Sequence, residues 1–98
     1  MRLQLEAPFQ VSEPMRTLIQ EKIDKLYTFF NRITSAHVYL KDEIQRFNHK
    51  DNRKVEIRIE VPGTSLFATD SADTFEKAIV NAIEKLERQL KRYKGQLR

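Results

Sequence analysis

The sequence contains no cysteine among its 98 residues, which excludes a disulfide scaffold and any metal site built on thiolates. It also lacks the run of about 18 apolar residues that a membrane-spanning helix needs, and its first segment, MRLQLEAPFQ, has no apolar run of the kind found in signal peptides. These absences predict a soluble, cytoplasmic protein with no membrane partner. The length suits one compact domain, residues 1–98, with a single hydrophobic core.

The sequence also contains few of the glycines and histidines from which short phosphate-binding and metal-binding motifs are built. The two glycines, Gly63 and Gly95, are too few and too far apart for a phosphate-cradling loop. The two histidines, His37 and His49, lie twelve residues apart, without the i, i+4 helical spacing that aims two side chains at one metal ion. No serine or threonine has the surroundings of a catalytic nucleophile. We therefore predict no enzyme activity, no metal site and no cofactor.

Alternation of apolar and polar residues predicts four strands, in the segments RLQLEA, TSAHVYLKD, RKVEIRIEV and SLFATDSA. The third is the clearest, because Val55, Ile57, Ile59 and Val61 all fall on one face. In the fourth segment Asp70 falls on the inward face and interrupts the pattern, which favours an edge strand. The segment EIQRFNHKDN follows no period and is interpreted as a polar loop.

Apolar residues at spacings of three and four predict two helices. The first begins after Ser12 as N-cap, has Pro14 in its first turn, and continues to about Phe30. The second begins at Asp73 or Thr74, where Asp73 and Glu76 have the spacing of a capping box, and stops near Gly95. Its buried stripe consists of Phe75, Ala78, Ile79, Ala82, Ile83, Leu86, Leu90 and Tyr93.

The predicted element order is therefore β-α-β-β-β-α. A crossover helix makes the first two strands parallel neighbours, and short connections continue the sheet as an antiparallel meander. One apolar face per strand implies that both helices cover the same side of the sheet. The predicted fold class is an α/β (α+β) two-layer sandwich, with a four-stranded mixed sheet and two helices on one face.

The positive charge of the chain is concentrated at its end. Residues 1–84 hold twelve lysines and arginines against thirteen acids, whereas residues 85–98, KLERQLKRYKGQLR, hold six against one. Such a segment is either a solvated helix end or an electrostatic footprint for a polyanion. Five cations lie within about 120° of arc opposite the buried stripe and form a basic ridge: Lys77, Lys85, Arg88, Lys91 and Arg92.

Lys22 is an anomaly of the first helix, because its helical angle places it among Met15, Leu18 and Leu26. Its stem could simply cover the edge of the core while its ammonium reaches water. Alternatively, a groove between the two helices presents Lys22 and Lys25 beside the basic ridge. Periodicity leaves both interpretations open.

The chain resembles the ribosome hibernation factors, also called sigma-54 modulation proteins. The resemblance covers nearly the full length, through EPMRTLIQEKIDKLYTFFNRI, AHVYLK, VEIRIEVPG and KLERQLKRYK. KLERQL followed by basic residues is its most specific short signature. Departures from the family pattern fall at Asp70, Thr74 and Phe75, and the chain resembles the short, single-domain type.

The resemblance implies a factor that binds the small ribosomal subunit in the channel for messenger and transfer RNA, contacts ribosomal RNA and inhibits translation. It assigns RNA contacts to Lys22, Lys25, Lys85, Arg88 and Arg92, which Lys91 and Lys94 extend. Expected partners are the small subunit, its RNA and other ribosome-dimerising factors, with a monomer off the ribosome. An alternative is a protein-interaction module whose basic helical face docks on an acidic protein, and a further one is a binder of free double-stranded RNA.

Overall fold

A computed structural model describes residues 1–42 and 53–96 of the chain. Its elements are β1 (Arg2–Glu6), α1 (Glu13–Phe29), β2 (Ser35–Asp42), β3 (Arg53–Val61), β4 (Thr64–Ala72) and α2 (Phe75–Gln96). The predicted order is confirmed, and each boundary lies within two residues of its predicted position. The predicted loop EIQRFNHKDN, with His49, lies outside the described residues.

The four strands form one sheet in the order β1-β2-β3-β4. β1 and β2 are parallel and are connected through α1, whereas β3 is antiparallel to both β2 and β4. Val38, Ile57 and Ala68 lie side by side across three strands in this register. The mixed sheet and the edge position of β4 are as predicted.

Both helices cover one face of the sheet and enclose a single apolar cluster. The alternate residues of β2 and β3 point into this cluster, and Val38, Val55 and Ile57 are at most 1% exposed. Ile19, Ile23 and Leu26 contribute from α1, and Ile79, Leu86 and Leu90 contribute from α2. The predicted two-layer sandwich is confirmed, and the outer face of the sheet carries mainly polar side chains.

Each helix begins at a side-chain cap. The Ser12 hydroxyl accepts a hydrogen bond from the Met15 amide at 3.3 Å, as the sequence predicts. For α2 the predicted capping box is wrong, because the Thr74 hydroxyl accepts from the Lys77 amide at 3.2 Å. Asp73 instead binds the Lys77 ammonium at 3.0 Å, and this hydrogen-bonded ion pair lowers the pKa of the Asp73 carboxyl. Lys77 is thereby occupied at the start of α2.

The two helices run parallel to each other, as aromatic contacts at both of their ends show. At the N-terminal end, Phe9 lies 5.4 Å from Phe75 between ring centroids. At the C-terminal end, Phe30 meets Tyr93 edge to face at 5.5 Å, and the Tyr93 hydroxyl donates to the carbonyl of Pro62. A residue of α1 that precedes Phe30 by a given number of positions therefore lies at about the same height as the residue of α2 that precedes Tyr93 by the same number.

Replacing Gly63 with alanine is expected to destabilise the protein by about 1 kcal/mol. Gly63 connects β3 to β4 at a φ of +86°, in the left-handed region that alanine enters only with strain, although an added Cβ would meet no atom within 4 Å. Denaturant unfolding followed by circular dichroism measures the change.

Gly95 provides the matched control, because it lies in the last turn of α2 and an added Cβ there also meets nothing within 4 Å. Gly95→Ala should leave stability unchanged or raise it, since alanine favours helix. Equal destabilisation by the two substitutions would contradict the assignment of strain to the β3–β4 turn.

Candidate nucleic-acid interface

The polar side of α2 divides into three strips around the buried residues. At 100° per residue, Arg88 and Lys91 point away from Leu86 and Leu90 in the core. Lys85 and Arg92 flank the side of α2 that packs on β4, whereas Lys94 flanks the side that faces α1. The basic ridge is therefore spread over the flank that faces β4 and the outermost strip of α2, and Lys94 lies on the other flank.

Lys85 does not project opposite the buried stripe, and that prediction is wrong. Its ammonium donates to the carbonyl oxygen of Thr69 at 2.8 Å and to Asp70 Oδ1 at 3.1 Å. Asn81 donates to the other carboxylate oxygen of Asp70 at 2.9 Å. The inward aspartate of the edge strand, which the alternation pattern marked as an exception, thus binds two polar side chains of α2.

Gln89 is a residue that the sequence analysis missed. Its side-chain amide donates to the carbonyl oxygen of Phe67 at 2.8 Å. Phe67 lies two residues along β4 from Thr69, whose carbonyl oxygen accepts from Lys85. Among the residues that the structure describes, β4 has no strand neighbour on its outer side, and unpaired edge groups promote pairing with another chain. Side chains of α2 therefore cover part of this edge, so Lys85 and Gln89 have a structural role.

Lys94 connects the C-terminal ends of the two helices. Its ammonium donates to the carbonyl oxygen of Phe29 at 3.2 Å and lies 4.3 Å from the centroid of the Phe29 ring. A cation at the last carbonyls of a helix is favoured by the helix dipole. Lys94 lies beside the predicted patch, but its charge is directed at α1.

Lys22 and Lys25 lie on the side of α1 that faces α2. They share this side with Phe29, because the three residues fall within about 60° of arc, and Phe29 contacts Lys94. Lys22 is half-buried and Lys25 is exposed. Lys22 stands eight residues before Phe30, as Lys85 stands eight before Tyr93, so the two lysines lie at similar heights. Both helices cover the same face of the sheet, so the cations of both elements lie on the helical side of the fold.

Five of these cations have no ion pair or side-chain hydrogen bond with any residue in 1–42 or 53–96. We call them the open cations: Lys22, Lys25, Arg88, Lys91 and Arg92. Four of the five are exposed, and Lys22 is half-buried. In contrast, Lys77 and Lys85 bind carboxylates and Lys94 binds a carbonyl. Open cations are available to an external anion without loss of an internal contact.

The described residues on the outer face of the sheet form no metal centre. His37 stacks on Tyr39, with ring centroids 6.4 Å apart, and both point away from the helices. In the part of the chain that the structure describes, no three histidine, cysteine or acidic side chains converge as a metal site requires. Neither α1 nor α2 is long and apolar enough to cross a membrane.

A two-layer domain whose parallel helices present open cations to solvent has the features of a polyanion-binding protein. Comparison with protein families then identifies the chain. Residues 7–98 match the family described as Sigma 54 modulation protein / S30EA ribosomal protein. The chain belongs to this family, which confirms the resemblance and the prediction that it is not an enzyme.

Two curated relatives carry names of the same kind. The chain is 38% identical over 85 residues to a ribosome hibernation promotion factor from Deinococcus radiodurans, and the match covers 87% of the chain and 44% of that protein. It is 32% identical over 85 residues to a ribosome hibernation promoting factor from Pseudomonas putida, of which the match covers 78%. The matched segment is thus less than half of the first relative.

Solved structures with the same fold include a ribosomal subunit interface protein from Coxiella burnetii, with a TM-score of 0.83 and 24% sequence identity. The match covers 98% of the chain and the whole of that structure. The N-terminal domain of Protein Y from Thermus thermophilus gives a TM-score of 0.78 at 22% identity, over 95% of the chain and 99% of that structure. At these identities the likeness establishes the fold alone.

Proposed function

We propose that this protein is a ribosome hibernation factor of the bacterial cytoplasm, which binds the small ribosomal subunit in the channel for messenger and transfer RNA. It acts as one ribosome-binding domain, residues 1–98, and inhibits translation by occupying space rather than by catalysis. The observation that carries the proposal is the set of open cations on two parallel helices that cover one side of the sheet, in a chain related to proteins named as hibernation factors.

Ribosomal RNA is a suitable partner for this surface. Phosphate contacts supply most of the affinity of proteins for RNA, and folded RNA is recognised largely through its shape. Arg88 and Arg92 carry guanidinium groups that can bind phosphate through two hydrogen bonds at once, whereas the three lysines act as point charges. Lys85 and Lys94 contribute positive potential at the margins while they hold their internal partners.

The exclusion mechanism predicts that messenger and transfer RNA compete with the protein. Binding to empty small subunits should saturate at about one copy per subunit, and subunits preloaded with messenger and transfer RNA should bind at least tenfold more weakly, because both fill the same space. Sedimentation of the labelled protein with purified subunits measures both quantities. Equal affinity for empty and preloaded subunits would contradict occupation of the channel.

An acidic protein could satisfy the same cations, and cell lysates separate the two partners. Co-sedimentation with small subunits and ribosomes should disappear after nuclease digestion of ribosomal RNA. Retention in a slowly sedimenting, nuclease-resistant complex would instead identify a protein partner. Binding to plain RNA duplex as tight as to subunits would indicate a general double-stranded RNA binder.

A further inference from the structure

The two edges of the sheet differ in how they are covered. At the β4 edge, Lys85 and Gln89 of α2 donate hydrogen bonds to the carbonyl oxygens of Thr69 and Phe67. At the β1 edge, no described strand pairs with the outer side, and no described side chain donates to or accepts from its backbone. An uncovered edge presents free N–H and C=O groups, and these promote pairing with another strand.

The free backbone groups of β1 belong to Leu3 and Leu5. The Arg2 amide donates to the carbonyl oxygen of Thr34 at 3.2 Å, so the backbone of Arg2 points at β2. Backbone groups alternate in direction along a strand, so those of Gln4 also point at β2, whereas Leu3 and Leu5 turn theirs outward. Each of these two residues therefore presents one donor and one acceptor at the edge.

The side chains of β1 form two different surfaces. Leu3 and Leu5 are half-buried and line, together with Ile19, a groove between β1 and α1. On the opposite face of the strand, Arg2 and Glu6 are exposed, and neither holds an ion pair with any described residue. The strand thus has one apolar side and one side with a single unpaired charge of each sign.

The two charges lie symmetrically about Gln4. When two copies of β1 pair antiparallel with Gln4 opposite Gln4, Arg2 of each copy stands opposite Glu6 of the other. The same register makes Leu3 and Leu5 of opposite copies a hydrogen-bonded pair on each side of the centre. A shift by two residues in either direction removes both opposite-charge pairs, and parallel pairing in register would place like charges side by side. The charge pattern therefore selects one antiparallel register.

We propose that the β1 edge is an interface between two copies of this chain, which pair antiparallel about Gln4 and join two four-stranded sheets into one of eight strands. Arg2 and Glu6 form cross-strand ion pairs on the outer face of the junction, and Leu3 and Leu5 of the two copies meet on the side of α1. A second copy is the matching partner because the strand is complementary in charge to itself, as a two-fold interface requires. None of the open cations lies on β1, so this inference goes beyond the proposed function.

The interface is small, so the dimer should be weak. Pairing of two five-residue strands should bury less than the about 1,200 Å² with which stable protein–protein interfaces begin. Sedimentation equilibrium at low salt should therefore show the expected monomer at about 10 μM protein and a growing fraction of dimer toward about 1 mM.

Charge reversal distinguishes this interface from any other. Arg2→Glu and Glu6→Arg should each weaken the dimer about tenfold, because two opposite-charge pairs become two like-charge pairs. An equimolar mixture of the two variants should recover the original affinity, since every reversed charge then faces an opposite charge on the other copy. The double variant Arg2→Glu with Glu6→Arg should recover it as well. Both positions are exposed, so all variants should unfold like the original protein.

A disulfide tests the register. The chain contains no cysteine, so Gln4→Cys forms a disulfide only with a second copy. In the proposed register Gln4 faces itself in a non-hydrogen-bonded pair, where Cα atoms are about 4.5 Å apart, within the range that a disulfide spans. Oxidation with copper phenanthroline should convert most of this variant to a covalent dimer. Ser71→Cys, exposed on β4, is the matched control and should stay mainly monomeric.

A protein that stays monomeric up to about 1 mM would overturn the inference. A dimer that resists both single charge reversals, or that the mixture fails to restore, would overturn it as well. Equal crosslinking of Gln4→Cys and Ser71→Cys would indicate random collision and would reject the register. These measurements use no ribosomes, so their failure would leave the proposed function intact.

Discussion

Replacing Ile57 with aspartate is expected to unfold the protein. Ile57 is 1% exposed at the centre of the sheet, between Val38 of β2 and Ala68 of β4 in register. A carboxylate in this position would lose its hydration without gaining a cation, which costs several kcal/mol and approaches the total stability of a small domain. Circular dichroism at 25 °C should show loss of the cooperative unfolding transition.

Phe67→Asp supplies the matched control for this substitution. It places the same carboxylate on the neighbouring strand, but on the exposed outer face and in register with Arg58. This variant should unfold cooperatively, within about 1 kcal/mol of the original protein. A cooperative transition in Ile57→Asp would contradict the assignment of Ile57 to the covered face.

Reversing Arg88 and Arg92 together to glutamate is expected to reduce affinity for the small subunit by on the order of a hundredfold at low salt. Both side chains are exposed, and neither holds an ion pair with the residues that the structure describes, so the reversal removes the two proposed phosphate contacts without disturbing the core. Denaturant unfolding of the variant should match the original protein.

A salt series identifies the lost contacts as phosphate contacts. If the five open cations bind phosphates, affinity should fall by on the order of a hundredfold between 50 and 200 mM salt. The Arg88/Arg92 reversal should make the dependence of log affinity on log salt shallower by about two contacts. An unchanged slope in the variant would place these arginines outside the RNA contact.

Net charge is controlled with a second double variant, Lys77→Glu with Lys41→Glu. Lys77 pairs with Asp73 at the start of α2, and Lys41 pairs with Glu56 on the outer face of the sheet. This variant changes the net charge by the same amount at positions away from the open cations. It should bind small subunits within about threefold of the original protein, and an equally large loss would show that overall charge, rather than this surface, governs binding.

Lys85 is left out of the reversal because its effect would have two causes. A glutamate there would stand beside the Asp70 carboxylate and would abandon the carbonyl oxygen of Thr69. Like-charge contact and an unpaired edge carbonyl would both destabilise the variant. Weak binding by such a variant could not be assigned to RNA contact.

The sequence determined the elements, their order and the covered face of each strand. Alternation at Val55, Ile57 and Ile59 has the period of a pleated strand, and the residues facing a single core must repeat with that period. The apolar stripes likewise identified both helices, and Ser12 identified the start of α1. These features depend on neighbours within about four residues, so local patterns predict them.

The site was predicted only in part, because helical angle gives the direction of a side chain but not its partner. It correctly placed Arg88 and Lys91 away from the core and Lys22 beside hydrophobic residues. It did not place Lys85 on β4, since that orientation depends on Asp70, fifteen residues earlier in the chain. The sequence left Asp73 and Thr74 as alternative starts of α2, because two neighbouring residues could each accept the first amide hydrogen bond, and the structure selects Thr74.

Tertiary structure alone decided which cations are open and which are occupied. Lys94 is drawn to Phe29, sixty-five residues away, and Gln89 to Phe67, because the parallel helices and the edge strand come together only in the folded core. The same packing puts both helices, and the open cations that they carry, on one side of the sheet. Sequence distance carries no record of these contacts, so charge counting could not show that Lys85 and Lys94 hold internal partners. The partners of Lys85 and Lys94 depend on where the folded backbone brings each ammonium within hydrogen-bond distance of an oxygen. The packing of the helices on the sheet sets these distances, and no local sequence pattern does.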